Sequence, residues 1–252
     1  MDKEGRIYGL KVNVEKEKIR DFFDKRAIDF SLKKKTRNTT VLLGDGNSTY
    51  ADNWDEYEKK VILPYLNIKK TDVVLDIGCG LGRWAESVIP LCEDYIGTDI
   101  SSEMIKTATD IYSCKYKNAN FINVSFQDVF DRAEIQKRKF DIIIIAGVSM
   151  YLNDTDLSSC YVKLKNFLTQ GGVLYMEESI GVKERLTLNN IWSENLKSNY
   201  WAIYRTEQEY LALLRPLLDC SEILKSGFFY NLDKKEMQDT GHWHIILRKN
   251  GQ

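Results

Sequence analysis

Residues 73–82 read Val-Val-Leu-Asp-Ile-Gly-Cys-Gly-Leu-Gly, and no other stretch restricts the fold as tightly. The short β-branched run predicts a strand ending at Gly78, and the segment from Gly82 to Ile89 predicts a helix behind it. Glycines between a strand and a helix let the backbone turn tightly beneath a ligand, with helix N–H groups pointing at it. A dinucleotide-binding turn would need Gly-x-Gly-x-x-Gly. Counted from Gly78, its third glycine would fall on Arg83, so that motif is not met. The spacing is Asp-x-Gly-x-Gly-x-Gly, opening on Asp76.

Strand-like and helix-like segments alternate behind this turn. Tyr95-Ile-Gly-Thr-Asp predicts a second strand, and Ser101 is placed to cap the helix after it. Asn120 to Val124 and the continuous apolar run Phe140 to Ala146 predict two more, the latter buried on both faces. A helical stripe at Leu157, Cys160, Tyr161 and Leu164 leads to a fifth strand, Val173 to Glu178. This alternation predicts an α/β architecture, a mostly parallel sheet with helices on both faces. Residues 1–70 are charged and helical in pattern, interrupted by a turn-rich stretch at 43–49. Residues 181–218 are aromatic and read as helical. Two strand-like runs close the chain, 228–231 and 242–248, either side of a charged turn.

Asp76-x-Gly78-x-Gly80-x-Gly82, followed in order by Asp99 and Asp128, resembles motif I and its partners in class I S-adenosylmethionine (SAM) dependent methyltransferases. The resemblance covers about residues 71–178. It implies a Rossmann-like class I methyltransferase fold with a seven-stranded sheet. Residues 1–70 are then an N-terminal helical lid, and 71–252 the SAM-binding core. Within the core, 181–218 is expected to be a helical substrate cover inserted before the last two strands. The same resemblance assigns Asp76, Gly78, Cys79 and Gly80 to the cofactor turn and Asp99 to the ribose hydroxyls. Ile100 falls against the adenine face, Asp128 and Val129 beside its amino group, and Gly147 along the amino-acid end. Many small-molecule members carry an N-terminal helix over the cofactor. On that pattern Arg26 is a candidate for the SAM carboxylate, with a solvated helix arginine as the alternative. Residues 22–66 broadly resemble those of toxoflavin-type N-methyltransferases.

Composition narrows the methyl acceptor. With 36 Lys+Arg against 37 Asp+Glu the formal charge is −1, which lacks the footprint of a protein whose affinity comes mainly from nucleic-acid phosphates. Members that methylate exocyclic amines of bases usually carry an Asn/Asp-Pro-Pro-Tyr motif after the fourth strand. Here that place holds Ala146-Gly-Val-Ser, and none of the 3 prolines lies between Pro90 and Pro216. The expected activity is methyl transfer to N or O of a small metabolite, an anionic or sugar-like acceptor included, leaving S-adenosylhomocysteine (SAH). RNA or protein methylation, and a non-catalytic partner subunit, are the alternatives. Gly147-Val-Ser-Met-Tyr-Leu resembles the run of small-molecule members in which an aromatic or histidine overlooks the methyl group, and Tyr151 takes that position, with packing under the following helix as the alternative. Glu178, at the end of the fifth strand, can bind or deprotonate an acceptor. His242 and His244 are the only histidines, so a histidine base, if there is one, is one of these; His242 is the candidate. Trp192, Tyr204 and Arg205 are candidate substrate contacts, with Arg185 as a further positive charge. Five scattered cysteines without a CxxC pair suggest neither disulfides nor a metal site. The charged start shows no signal peptide, and the longest apolar run is too short for a membrane span. A cytoplasmic monomer or homodimer, acting on no DNA, is the expectation.

Overall fold

A computed structural model describes residues 5–43, 47–229 and 239–251. Of the expected features, the turn at 44–46 and the charged turn before the last strand, with its flank at 230–231, lie outside the described residues.

The chain opens with a short strand, β1 (Arg6–Tyr8), and three helices: α1 (Lys16–Ser31), α2 (Arg37–Leu42) and α3 (Ser48–Leu66). Thr36 caps α2 through a capping box with Thr39, and Asn47 caps α3 by accepting from Tyr50 N. Then strands and helices alternate as β2 (Val73–Ile77), α4 (Ala85–Val88), β3 (Asp94–Asp99), α5 (Ser102–Tyr112), β4 (Ala119–Asn123), α6 (Ala133–Gln136), β5 (Phe140–Ala146) and α7 (Asp154–Leu164). Ser101 caps α5, its hydroxyl accepting from Met104 N at 3.1 Å. After β6 (Leu168–Gly181) come the strands β7 (Leu186–Ser193) and β8 (Ser198–Tyr204) and the short helices α8 (Glu207–Leu213) and α9 (Arg215–Leu218). The closing strands are β9 (Ser221–Phe228) and β10 (Thr240–Lys249).

The main sheet has seven strands in the order β4-β3-β2-β5-β6-β10-β9. Pairing is parallel from β4 through β6, and β10 runs antiparallel between β6 and β9. The four isoleucines of β5 show why it sits in the middle. Ile143 and Ile145 enter the core beneath α7, while Ile142 and Ile144 enter the core on the other face beneath α3 and α4. Alternation with period two on an all-apolar strand forces a layer of helices on each side. This is a Rossmann-like class I methyltransferase fold.

The expected helical cover is corrected by the structure. Residues 186–204 form a β-hairpin, β7 with β8, and β1 adds to its edge to give a separate three-stranded sheet. Ile191, Trp192, Tyr200, Trp201 and Ile203 are β-branched or aromatic and fit a pleated surface better than a helix. Lys197, at φ 50°, turns the chain at the hairpin tip. Only the segment after Thr206 is helical. The next strand also begins earlier than the run at 228–231 suggested, at Ser221.

Candidate active site

The carboxyl ends of the parallel strands open into a cavity of about 270 Å³. Gly78, Gly80 and Gly82 follow β2 with φ of 72°, 55° and 78°, in the left-handed region where a side chain is strained. At Gly78 space is denied as well: a Cβ there would stand 2.2 Å from Val148 Cγ2. The turn is held to β3 by Gly78 N and Cys79 N, both donating to Thr98 O at 2.7 and 2.9 Å. Asp99 then braces it. One carboxylate oxygen accepts from Gly80 N at 2.9 Å and the other from Ser101 N at 2.8 Å. Each oxygen keeps a free lone pair, a suitable pair of acceptors for a vicinal diol. Burial raises Asp99 to about 6 against the backbone donors of Ser101, Gly80 and Ile100. Asp76 is more deeply buried, receives the Tyr95 hydroxyl, and is pushed up to about 7. Asp76, Gly78, Cys79, Gly80, Asp99, Ile100 and Gly147 all line the cavity. Burial drives the Cys79 thiol well above its ordinary value, so it stays protonated and serves as a small filler, not a nucleophile.

The other end of the cavity is aromatic and charged. Tyr151 and Tyr200 share a hydroxyl hydrogen bond of 2.8 Å, and Phe23 from α1 meets Tyr151 edge-on at 5.2 Å. Burial pushes Tyr151 far up, so it is a neutral phenol and not a base. His242 at the start of β10 has its Nδ1 2.8 Å from Glu177 Oε1, and its ring lies 4.3 Å from that of Trp54 on α3. Behind Trp54, Arg83 donates to Asp55 at 3.1 Å and to Glu58, while Tyr175 donates to Glu58 at 2.6 Å. Burial disfavours the charge on Arg83, but Glu58 and Asp55 outweigh it and keep the guanidinium charged.

Several expected contacts lie elsewhere. Arg26 turns away from the cavity and donates to the Thr39 and Thr40 carbonyls, tying α1 to α2. Val129 is fully buried in the core under α7. Asp128 sits outside the lining on Ser125 and Lys16, although Ser125, Phe126, Gln127 and Lys16 do line it. Glu178 faces the opposite side of β6 from Glu177. Its buried carboxylate accepts from the N–H groups of Val148, Ser149 and Met150 at 3.2, 2.7 and 3.1 Å, fixing the turn after β5. Burial and the neighbouring Glu177 raise it to about 7. Arg205 is sealed by Asp154 and the Ser149 and Leu152 carbonyls, and Arg185 by Asp154 and Glu209. Trp192 is half exposed near the hairpin tip, bonded to Glu194. Tyr204 does line the cavity, beside Tyr200. Unforeseen lining residues include Trp54, Arg83 and Lys16, and Glu177, expected with Glu178 at the strand's end to point toward the site, does line the cavity. The first three gave no local signal. Glu177 was adjacent to the chosen glutamate, and only strand register separates the two.

A fold of this kind, with an Asp-braced glycine turn at the switch point of the sheet, defines the class I methyltransferases. A family profile described as a methyltransferase domain matches residues 68–251, and the chain belongs to that SAM-dependent methyltransferase family. Phosphoethanolamine N-methyltransferase 1 of Triticum aestivum is 26% identical over 129 residues, 51% of this chain and 26% of the relative. The putative methyltransferase 235L of Invertebrate iridescent virus 6 is 28% identical over 162 residues, 62% of this chain and 56% of the relative. The chain therefore spans from a quarter to just over half the length of these curated relatives. Among solved structures, Haemonchus contortus phosphoethanolamine N-methyltransferase 1, in complex with phosphoethanolamine and SAH, has a TM-score of 0.69 at 17% identity, covering 94% of this chain and 49% of that one. Magnesium protoporphyrin IX methyltransferase of Synechocystis PCC 6803 with bound SAM has a TM-score of 0.61 at 15% identity, covering 93% and 97%.

Proposed function

We propose that this chain transfers a methyl group from SAM to an N or O atom of a small metabolite. The observation that carries the reading is the Asp99 brace: a carboxylate that ties the glycine turn at Gly80 N to the head of α5 at Ser101 N and lines the cavity. The pocket suits the cofactor on its own features. Gly78 and Gly80 bring bare backbone to the cavity floor, where a Cβ would strike Val148 and Val41, and the buried indole nitrogens of Trp54 and Trp84, both lining residues, have no partner among the described residues. In this reading Asp99 holds the ribose, Ile100 packs on the adenine, and Asp76 with Gly147 borders the amino-acid end. When bound, SAM supplies a methyl group on a sulfonium, an electrophile that needs only an aligned lone pair.

A small acceptor is supported by the roof over the cavity, built by α1, the end of α2, α3 and the hairpin residues Tyr200 and Tyr204. Residues 1–70 act as a lid in this reading, as the resemblance to toxoflavin-type enzymes suggests. An anionic acceptor finds less support, because Arg185 and Arg205 are neutralised by Asp154 and Glu209, and Lys16 beside the cavity is itself paired with Asp128 at 3.3 Å. The names of the phosphoethanolamine relatives are consistent with a small amine. Calorimetry with SAM and SAH, followed by transfer of labelled methyl to a library of small amines, alcohols and carboxylates, tests the reading. Absence of SAM binding by folded protein would refute it.

A further inference from the structure

We infer that Glu177 and His242, braced by Trp54, form a proton-accepting pair for the methyl acceptor, and that the acceptor enters as a protonated amine. The inference rests on the reading above and adds to it the reacting group and its partner.

Three observations converge. First, the pair sits where the reacting atoms must meet. Glu177 pairs with Ala146 across β5 and β6, its carbonyl accepts from Gly147 N at 2.8 Å, and both side chains line the cavity that the glycine turn floors. Second, the histidine is oriented. With Nδ1 committed to Glu177, the neutral ring carries its proton there and presents the Nε2 lone pair, which has no partner among the described residues. Trp54, buried and packed against the ring at a 38° tilt, limits its turning. Third, the charge around it is settled. Glu58 and Arg83 from the α3 side are bonded to each other, and Lys225 on β9 faces His244, leaving Glu177 as the charge in direct contact. Burial works to lower His242, and the bond and charge of Glu177, then Glu58, reverse this to a net rise.

Proton affinities select the acceptor. A histidine raised above its ordinary value is a weaker base than an alkylamine, but the gap is one that a nearby sulfonium and carboxylate can bridge. An aliphatic hydroxyl, which ionises about as reluctantly as water, lies far further out of reach. A phenol is as accessible as an amine by this measure. However, Glu177 with neutral His242 carries a net negative charge, which attracts an ammonium and repels a phenolate, and the aromatic wall also favours a cation. In the reaction, His242 Nε2 takes a proton from the ammonium. The freed amine lone pair forms the N–CH₃ bond as the S–CH₃ bond breaks, its electrons remaining on sulfur in neutral SAH. The product leaves as a methylammonium ion, and the proton on His242 passes to water.

The chain has only 2 histidines, so ring-labelled NMR titration reads this pair directly. His242→Asn identifies the signal, and His244 titrates far below it. The His242 signal is expected to titrate above 6.5, and about one unit lower in Glu177→Gln. The decisive comparison needs no substitution. A proton acceptor for an atom in attack position lies about 6 Å from the sulfonium, so the pKa of His242 should be one to two units lower with SAM bound than with SAH bound. SAM binding with equal pKa values in the two complexes overturns the pair while sparing the parent reading; no SAM binding at all sinks the parent reading. Methyl products confined to oxygen would overturn the amine assignment.

Discussion

Asp99→Ala offers the sharpest measure of the cofactor reading. The carboxylate accepts Gly80 N–H at 2.9 Å and Ser101 N–H at 2.8 Å, and has two lone pairs left. Two ribose hydroxyls donating to a charged acceptor contribute about 1.5–3 kcal/mol each, so their loss weakens SAM binding by about 3–6 kcal/mol. That corresponds to a rise in Kd of between about a hundredfold and about ten-thousandfold. Calorimetry at pH 7.5 with SAM and with SAH should show the same loss for both, because the ribose is common to them. The pH dependence carries a second, independent signature. Burial holds Asp99 at about 6, and the ribose needs the charged form. Affinity should therefore fall by up to about tenfold per unit as pH drops below 6, and this fall should be absent in Asp99→Ala. A loss of less than about fivefold, or an unchanged acid limb in the variant, would refute the placement of the ribose.

Other perturbations separate structure from site. Gly78→Ala forces a Cβ to 2.2 Å from Val148 Cγ2 at a φ of 72°, and should weaken both folding and SAM binding. Adding Val148→Ala should restore part of each; a neutral single variant contradicts the geometry. Arg205→Leu strips Asp154 and two carbonyls of a buried partner, which costs about 3–5 kcal/mol and lowers Tm by about 10 °C. SAM affinity should stay within about threefold, and the opposite pattern would return Arg205 to the site. Asp76 is held at about 7 when folded against an ordinary 3.8, so the folded state binds its proton more tightly. That contribution is present below pH 4 and lost as pH rises through 7. Urea denaturation should show wild type losing about 4 kcal/mol relative to Asp76→Asn between pH 4 and pH 8. A constant gap would show that Asp76 is ionised throughout.

The parts of this molecule that could be read from the sequence are those specified by local rules. A glycine turn between a strand and a helix, a serine cap before α5 and the unbroken apolar run of β5 each announce themselves within ten residues. The seven-residue stretch from Asp76 to Gly82 and the acid at Asp99 indicated the cavity floor in the same way. What was not legible depends on register and on distant partners. Glu177 and Glu178 are neighbours with opposite fates, since successive side chains point to opposite faces of β6. Only the pairing of β6 with β5 and β10 shows that Glu177 meets the cavity and Glu178 the turn at Val148. Arg205 and Arg26 looked like free cations because the carbonyls and Asp154 that neutralise them lie 13 to 56 residues away. Aromatics at residues 192–204 mimicked helical spacing, whereas their β propensity and the turn at Lys197 were the better guide.

The small sheet imposes an order on how the chain is assembled. Arg6 pairs with Leu188, so β1 waits for a partner made some 180 residues later. During synthesis β2 through β6 can dock on one another as they emerge, each beside a close neighbour in sequence, whereas β1 stays unpaired until the hairpin appears. Long-range closures of this kind form late and slowly. The floor of the cavity is therefore expected to be built before the small sheet that carries Tyr200 and Tyr204 of its roof is complete.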